Sequence, residues 1–425
     1  MQIDRNTAPE SKKVTTFDLL PIETFELNNG IQVHLMQAGS QDVIKLDFLF
    51  PAGSIQAAKP LLASVTNKAL TEGTTHFTGA EISEKIDFFG AFIGQQAQFH
   101  HSIVTLVTLT HFLPDTLEVL EDVIKNPVFE QKEIDTLLNK RKQEFLIESD
   151  KVKTLATRAF TQNLYGKDHP YGNYLTLEDF EKITREDIIK FHQQAYIPEG
   201  THIIVSGQPG DNLKELLNLR FGQKWSENKM LADNQPQAPS CVKSSLFVPK
   251  DDAVQSAIKI GRPLFNKQHP DFHGMQILNT ILGGYFGSRL MTNIREEKGL
   301  TYGISSFIMT YKHAGFLVIA TDVKAENREL AVTEVFNELE KLRTQAISTE
   351  ELELVRNFLL GDMIRNFDGP FATSDNYRGL LDLGLTPDYF HEFFKVLLNI
   401  TAEELHALAK KYLQKEDFIT VVAGK

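Results

Sequence analysis

The chain has 425 residues, 42% of them hydrophobic and 24% charged, with one cysteine and a formal net charge of -12. That length exceeds what one hydrophobic core usually fills, so two domains are expected; the acidic balance, with no basic stripe interleaved with aromatics, excludes nucleic acid and anionic membrane as expected partners. No apolar run approaches the roughly 18 residues of a membrane span, residues 1–14 lack the apolar stretch of a secretory signal, and the single Cys241 cannot form an internal disulfide, which together predict a cytoplasmic protein.

In chain order, GIQVHLMQ from Gly30 and VIKLDFLF from Val43 read as strands. LLASVTNKALTEGT, Leu61 to Thr74, predicts a helix that stops at Gly73, with Ser64, Asn67 and Lys68 on one face because positions three and four apart lie above one another. Gly90 to Leu109 reads as a hairpin; its adjacent His100 and His101, placed on a strand, point to opposite faces and cannot chelate together. Helical periodicity follows from Thr116, Glu133 and Leu155, and YGKDHPYG, Tyr165 to Gly172, reads as a turn that positions the preceding helix, His169 included. Residues 226–242 are polar, proline-rich and aperiodic, which predicts a linker between domains 1–225 and 243–425.

The second half repeats the first. ITREDIIKFHQQAYIPEGTHIIVSG from Ile183 matches ITAEELHALAKKYLQKEDFITVVAG from Ile400, each opening with a capping box, Thr184 to Asp187 and Thr401 to Glu404, before a helix and a strand that ends in glycine. EIDTLLNKRKQ from Glu133 matches ELELVRNFLLG from Glu351, and VTLVTL from Val104 matches FLVIAT from Phe316. Gly90 and Gly94 match Gly299 and Gly303. The offset drifts slowly, as small loop insertions would make it. Strands neighbour strands and helices neighbour helices, which predicts an α+β fold of two homologous domains, each a largely antiparallel sheet with flanking helices. FDGPFATSDNYRG from Phe367, a breaker pair among polar residues, reads as a rim segment without an assigned role, and most of the 30 phenylalanines read as core.

No HExxH or HxxEH is present; His391-Glu392 comes nearest, with Lys395 where the second ligand would stand. The chain also lacks a GxSxG elbow, a P-loop and a dinucleotide fingerprint.

The order of segments resembles the M16 family of zinc peptidases, the pitrilysin, insulinase and mitochondrial processing peptidase group, across nearly the whole chain. In that family a strand ending near PAGS is followed by a helix with the inverted motif HxxEH and then by Gly-Thr; here FPAGS is Phe50 to Ser54 and the pair is Gly73-Thr74. Aligned on that pair, Ser64 and Lys68 stand at the histidine positions and Asn67 at the glutamate that would act as general base. Glu144, in KRKQEFLIESD, holds the place of the third ligand, with two readings open: an ion pair to Lys68, or a solvated helix residue. A hydroxyl, an amide and an ammonium do not make a zinc site, so the resemblance implies no metal in this chain.

FGSRLMTNIREEKGLTYGI from Phe286 resembles the family's C-terminal signature, in which an arginine and a tyrosine seven residues apart reach toward an active site; here they are Arg295 and Tyr302, while Arg289 reads as scaffold. The resemblance implies a clam-like half-chamber and a substrate-binding partner subunit. A zinc-bearing M16 homologue would complete a heterodimeric peptidase acting on peptides, and a homodimer would form in its absence. The alternatives are a catalytically inactive structural homologue, similar to respiratory core subunits, and an active metalloendopeptidase with its metal elsewhere.

Overall fold

The computed structural model describes residues 14–232 and 245–425; Cys241 and most of the expected linker lie outside the described residues. The first half runs β1 (Glu23–Glu26), β2 (Gln32–Gln37), β3 (Val43–Phe50), α1 (Leu62–Ala69), α2 (Gly79–Phe88), β4 (Phe92–Ala97) and β5 (Ser102–Leu109). It continues with α3 (Leu113–Lys125), α4 (Gln131–Ser149), α5 (Val152–Tyr165), α6 (Arg185–Ala195), β6 (His202–Gly207) and α7 (Leu213–Phe221). The second half begins with β7 (Ser245–Pro249), β8 (Gln255–Leu264), α8 (Phe272–Asn279), β9 (Ile304–Thr310) and β10 (Gly315–Lys324). It ends with α9 (Arg328–Thr344), α10 (Thr349–Asn366), α11 (Gly369–Leu381), α12 (Asp388–Asn399), α13 (Ala402–Tyr412) and β11 (Ile419–Gly424).

The two sheets have orders β1-β2-β6-β3-β5-β4 and β7-β11-β8-β10-β9. Each contains one parallel pair, β2 with β6 and β7 with β11, and is otherwise antiparallel. β2, β6, β3, β5 and β4 thus correspond in order to β7, β11, β8, β10 and β9, and the segments that repeat in sequence occupy matching places. Both expected capping boxes form: Thr184 and Thr401 accept from the N3 backbone of α6 and α13, and Asp187 and Glu404 return the bond.

One face of each sheet packs on helices of its own half. β2, β3, β5 and β6 bury Val33, Phe48, Leu106 and Val205 against Val65, Leu120 and Ile188, while β8 and β10 bury Ile260 and Leu317 against Ile277, Leu339 and Leu405. The opposite faces are covered by exchange. α5 of the first half lays Phe160 and Leu164 on Val318 of β10 and Val421 of β11. α11 of the second half lays Tyr377 and Leu380 on Met36, Leu49 and Ile204. Gly261 permits the first approach, because a Cβ there would stand 2.7 Å from the Phe160 ring. The segment from Phe367, expected as a rim, is therefore the start of a docking helix, with Pro370 in its first turn where the missing N–H costs nothing. Phe17 also crosses between halves and meets Phe367 and Phe394, with ring centroids 5.2 and 5.8 Å away.

The α11 seam includes charge. Lys45 lies 3.2 Å from Asp47 and 2.6 Å from Asp375, and Arg378 lies 3.6 Å from Asp47, which is wholly buried on β3. Arg289, expected as scaffold, grips both carboxylate oxygens of Glu351 at 2.8 and 2.7 Å. Among the described residues no helix is long and apolar enough to cross a membrane.

Two predictions follow from this packing. Asp47→Ala leaves Lys45 and Arg378 under-compensated in the seam and should cost about 3–5 kcal/mol, read as a lowered urea midpoint. His192 is buried with Nε2 2.8 Å from the Ile124 carbonyl, and burial lowers its pKa from 6.5 to about 4. The unfolded chain therefore binds more protons than the folded chain between those values, so stability is lost as pH falls through that window. Urea midpoints measured from neutral pH to about pH 5 should show this decline, and His192→Gln should reduce its slope, with His34, also held at about 4, supplying the rest.

Candidate functional site

α1 starts abruptly. Leu61 adopts φ 68, a left-handed conformation that costs a non-glycine residue roughly 1–3 kcal/mol and turns the chain directly into the helix. The helix passes through a short tight turn, Leu70–Glu72, and ends at Gly73, whose φ of 152 suits glycine. Apolar Leu62, Val65 and Ala69 hold one side in the core.

The three polar residues singled out on this helix have separate environments. Ser64 donates to the Leu61 carbonyl at 2.9 Å, a local bond within the turn. Asn67 is buried, and its Nδ2 lies 3.1 Å from the Tyr196 hydroxyl and 3.4 Å from the Ile103 carbonyl; its Oδ1 has no hydrogen-bond partner among the described residues. Burial pushes the Tyr196 hydroxyl up to about 12, so it remains a neutral partner. Lys68 is exposed, and its charge acts on Glu72, one turn on; the Glu72 carboxyl is raised chiefly by burial and then by Glu133, with Lys140 and Lys68 opposing.

Glu144 stands on the exposed side of α4 and pairs with Arg141 at 3.1 Å. Among the described residues no ion pair joins it to Lys68, so of the two readings left open the solvated helix residue describes this geometry. Zinc would need several nitrogen, sulfur or carboxylate donors converging at about 2.0–2.3 Å. Here one hydroxyl is engaged locally, the neutral amide is bonded into the core, the ammonium repels a cation, and the carboxylate is paired elsewhere. The residues present do not fit the metal. Nor do three histidine, cysteine, aspartate or glutamate side chains come together anywhere among the described residues in a set able to hold one.

Ser64 opens onto a cavity of about 590 Å³ between the halves, lined also by Ala97 at the end of β4, Thr310 at the end of β9, His100, Lys267 and Asp382. His100 and His101 lie in the turn between β4 and β5, not on a strand, and neither is exposed: His100 Nε2 is 2.8 Å from the Tyr171 hydroxyl, and His101 is 2.5 Å from Asp382. Asp382 is pulled below the usual carboxylate range by these partners despite a larger opposing effect of burial. Behind them His34 stacks on His202, with Nε2 and Nδ1 3.1 Å apart, and burial followed by the neighbouring ring holds His34 at about 4. Lys267 carried no motif in the sequence. It is half-buried beside Gly379 of α11 and Tyr389 of α12, which no local pattern around FNKQHP announces.

Arg295 and Tyr302 are placed elsewhere. Arg295 lies on wide π-type turns, Met291–Glu297, and its guanidinium stacks 4.7 Å over the exposed Phe286 ring. Tyr302 follows Gly299, whose φ is 62, and is 93% exposed just before β9. No side-chain hydrogen bond or ion pair engages either residue within the described chain. Since Thr310 at the far end of β9 lines the Ser64 cavity, a rise of about 3.3 Å per residue puts Tyr302 roughly 25 Å from it. The chain does not bring the Arg-Tyr pair and the motif helix together.

Residues 182–359 match the model described as the peptidase M16 inactive domain. A solved structure described as a peptidase M16 inactive domain from Pseudomonas fluorescens superposes with a TM-score of 0.86 at 23% identity, covering 95% of this chain and 98% of that one. A Bacillus subtilis (strain 168) protein named uncharacterized zinc protease YmxG is 20% identical over 407 residues, 95% of this chain and 98% of its own. Another from the same organism, named probable inactive metalloprotease YmfF, is 22% identical over 213 residues, 49% of each chain. Residues 182–359 are therefore similar to the peptidase M16 inactive domain, and the chain shares the two-domain fold of the solved structure it superposes on.

Proposed function

We propose that the chain is the substrate-binding partner subunit of a two-chain zinc metallopeptidase that cleaves peptides, with the metal and general base carried by a related M16 chain. The observation that carries this reading is the exposed Tyr302 and the half-buried Arg295 stacked on exposed Phe286, neither with a side-chain hydrogen bond or ion pair among the described residues, on a chain whose motif helix does not fit zinc. A guanidinium and a phenol both donate hydrogen bonds to a peptide carbonyl, which holds it and stabilises negative charge developing on its oxygen. Neither hydrolyses a peptide alone. The sheet edges β4 and β9 supply the complementary surface, along which an extended peptide binds through main-chain hydrogen bonds.

A second reading is a structural homologue without a catalytic partner, favoured by the relative named probable inactive metalloprotease. Mixing the chain with a zinc-bearing M16 homologue from the same organism separates the two. Co-elution on gel filtration with a gain in peptide cleavage is expected, and absence of both removes the proposal. Tyr302→Phe should then lower cleavage by roughly 10²-fold with co-elution retained; unchanged cleavage would favour the structural reading. Elemental analysis of the purified chain after dialysis against zinc-containing buffer should find far less than one zinc per chain. A stoichiometric, chelator-sensitive zinc would restore the third reading, an active metallopeptidase.

A further inference from the structure

Lys267 stands in the turn after β8, on the wall shared by two neighbouring cavities. One is the cavity of about 590 Å³ that Ser64 lines; the other, about 350 Å³, lies between β9 and helices α10, α11 and α12. Both are within the size range of small-ligand sites. Among the described residues no carboxylate pairs with the Lys267 ammonium. Its nearest features are the Tyr389 ring, 5.8 Å from Nζ to the centroid, and Gly379 of α11, whose Cβ position would lie 3.7 Å from Nζ. Asp382, on the same wall, is committed to His101. Burial alone lowers the Lys267 pKa, with no acid opposing it. A cation withdrawn from water without a counter-charge is costly, and an anionic ligand would offset that cost.

A second group on the smaller cavity is also unfilled. Asn279 donates through Nδ2 to the Ser306 carbonyl at 3.1 Å, while its buried Oδ1 has no hydrogen-bond partner among the described residues. Much of the remaining wall is apolar, with Phe307, Met363, Phe390 and Phe393. Asp362, also on this wall, has both carboxylate oxygens engaged by Arg365 and Asn366, so the cavity offers one cation, one vacant acceptor and an aromatic lining. The last residue of a peptide presents the complement: an anion, an N–H donor and a side chain.

We propose that these cavities receive the free C-terminus of a peptide whose last side chain is apolar. The carboxylate pairs with Lys267, the final amide N–H donates to Asn279 Oδ1, and the side chain lies among Phe307, Phe390 and Phe393. The preceding residues leave through the larger cavity past Ser64. The choice of a peptide as ligand rests on the peptide-binding reading above; what is added is the chemical class of its end.

Calorimetric titration of the isolated full chain, with no zinc-bearing homologue present, tests the site apart from any peptidase activity. The probes are a short N-acetylated peptide ending in phenylalanine, the same peptide as its C-terminal amide, and free phenylalanine. The acid should bind at least tenfold more tightly than the amide or the free amino acid, as a charge-assisted bond to a half-buried lysine implies. Lys267→Met should abolish that preference, with circular dichroism confirming the fold. Equal binding of acid and amide by the native chain, or no binding of either, overturns the proposal even where Lys267→Met does not fold. Retained preference in a folded Lys267→Met variant does the same. Loss of reconstituted cleavage with the acid preference intact would remove the partner-subunit reading alone.

Discussion

The reciprocal exchange of α5 and α11 is the constraint on which the rest of the molecule depends. An antiparallel sheet ordinarily keeps one face for water and shows an alternating pattern. β3 does not: seven of its eight residues are buried, because helices of its own half cover one face and α11 covers the other. α5 performs the same service for β8, β10 and β11. Neither sheet can shed its borrowed helix without exposing a row of apolar side chains, at about 25 cal/mol per Å² of apolar surface. The halves are therefore held in one relative position, and the cavity between them has fixed walls.

That arrangement explains how α1 keeps its place without metal-binding chemistry on its polar face. The position of α1 depends on Leu62, Val65 and Ala69 in the core, not on what its polar face holds. Asn67 donates through Nδ2 toward Tyr196 and the Ile103 carbonyl, a core contact, while its Oδ1 has no hydrogen-bond partner among the described residues. Ser64 contributes only a cavity wall and a local bond. Arg295 and Tyr302, by contrast, contribute little to stability among the described residues: one is a guanidinium over an exposed ring and the other a phenol in water.

Much of the fold was legible because its signals are local. β2, β3, β5, β6 and the helices from α3 to α6 follow from periodicity, and α6 and α13 were marked by capping boxes that form as written. β1 and β7 were missed: ETFE is short and mostly polar, and β7 acquires its place only by pairing in parallel with β11. The stretch from Phe367 misled for a physical reason. Its breakers sit at the start of a helix, and its polar residues, Ser374, Asp375 and Arg378, face buried groups on the other half's sheet. His100 and His101 misled similarly, since their partners Tyr171 and Asp382 come from distant segments.

The amino-acid order alone determined the duplicated α+β architecture, because helix and strand periods and caps are written in neighbouring residues. It also determined the absence of a zinc-binding donor set on α1, because ligand chemistry is a property of residue type. Tertiary structure decided the rest. Which sheet α11 covers, how far Tyr302 lies from Ser64, and that half-buried Lys267 has no carboxylate partner among the described residues all depend on contacts between segments far apart in the sequence. Such contacts arise from shape and burial across the whole chain, and no local pattern encodes them.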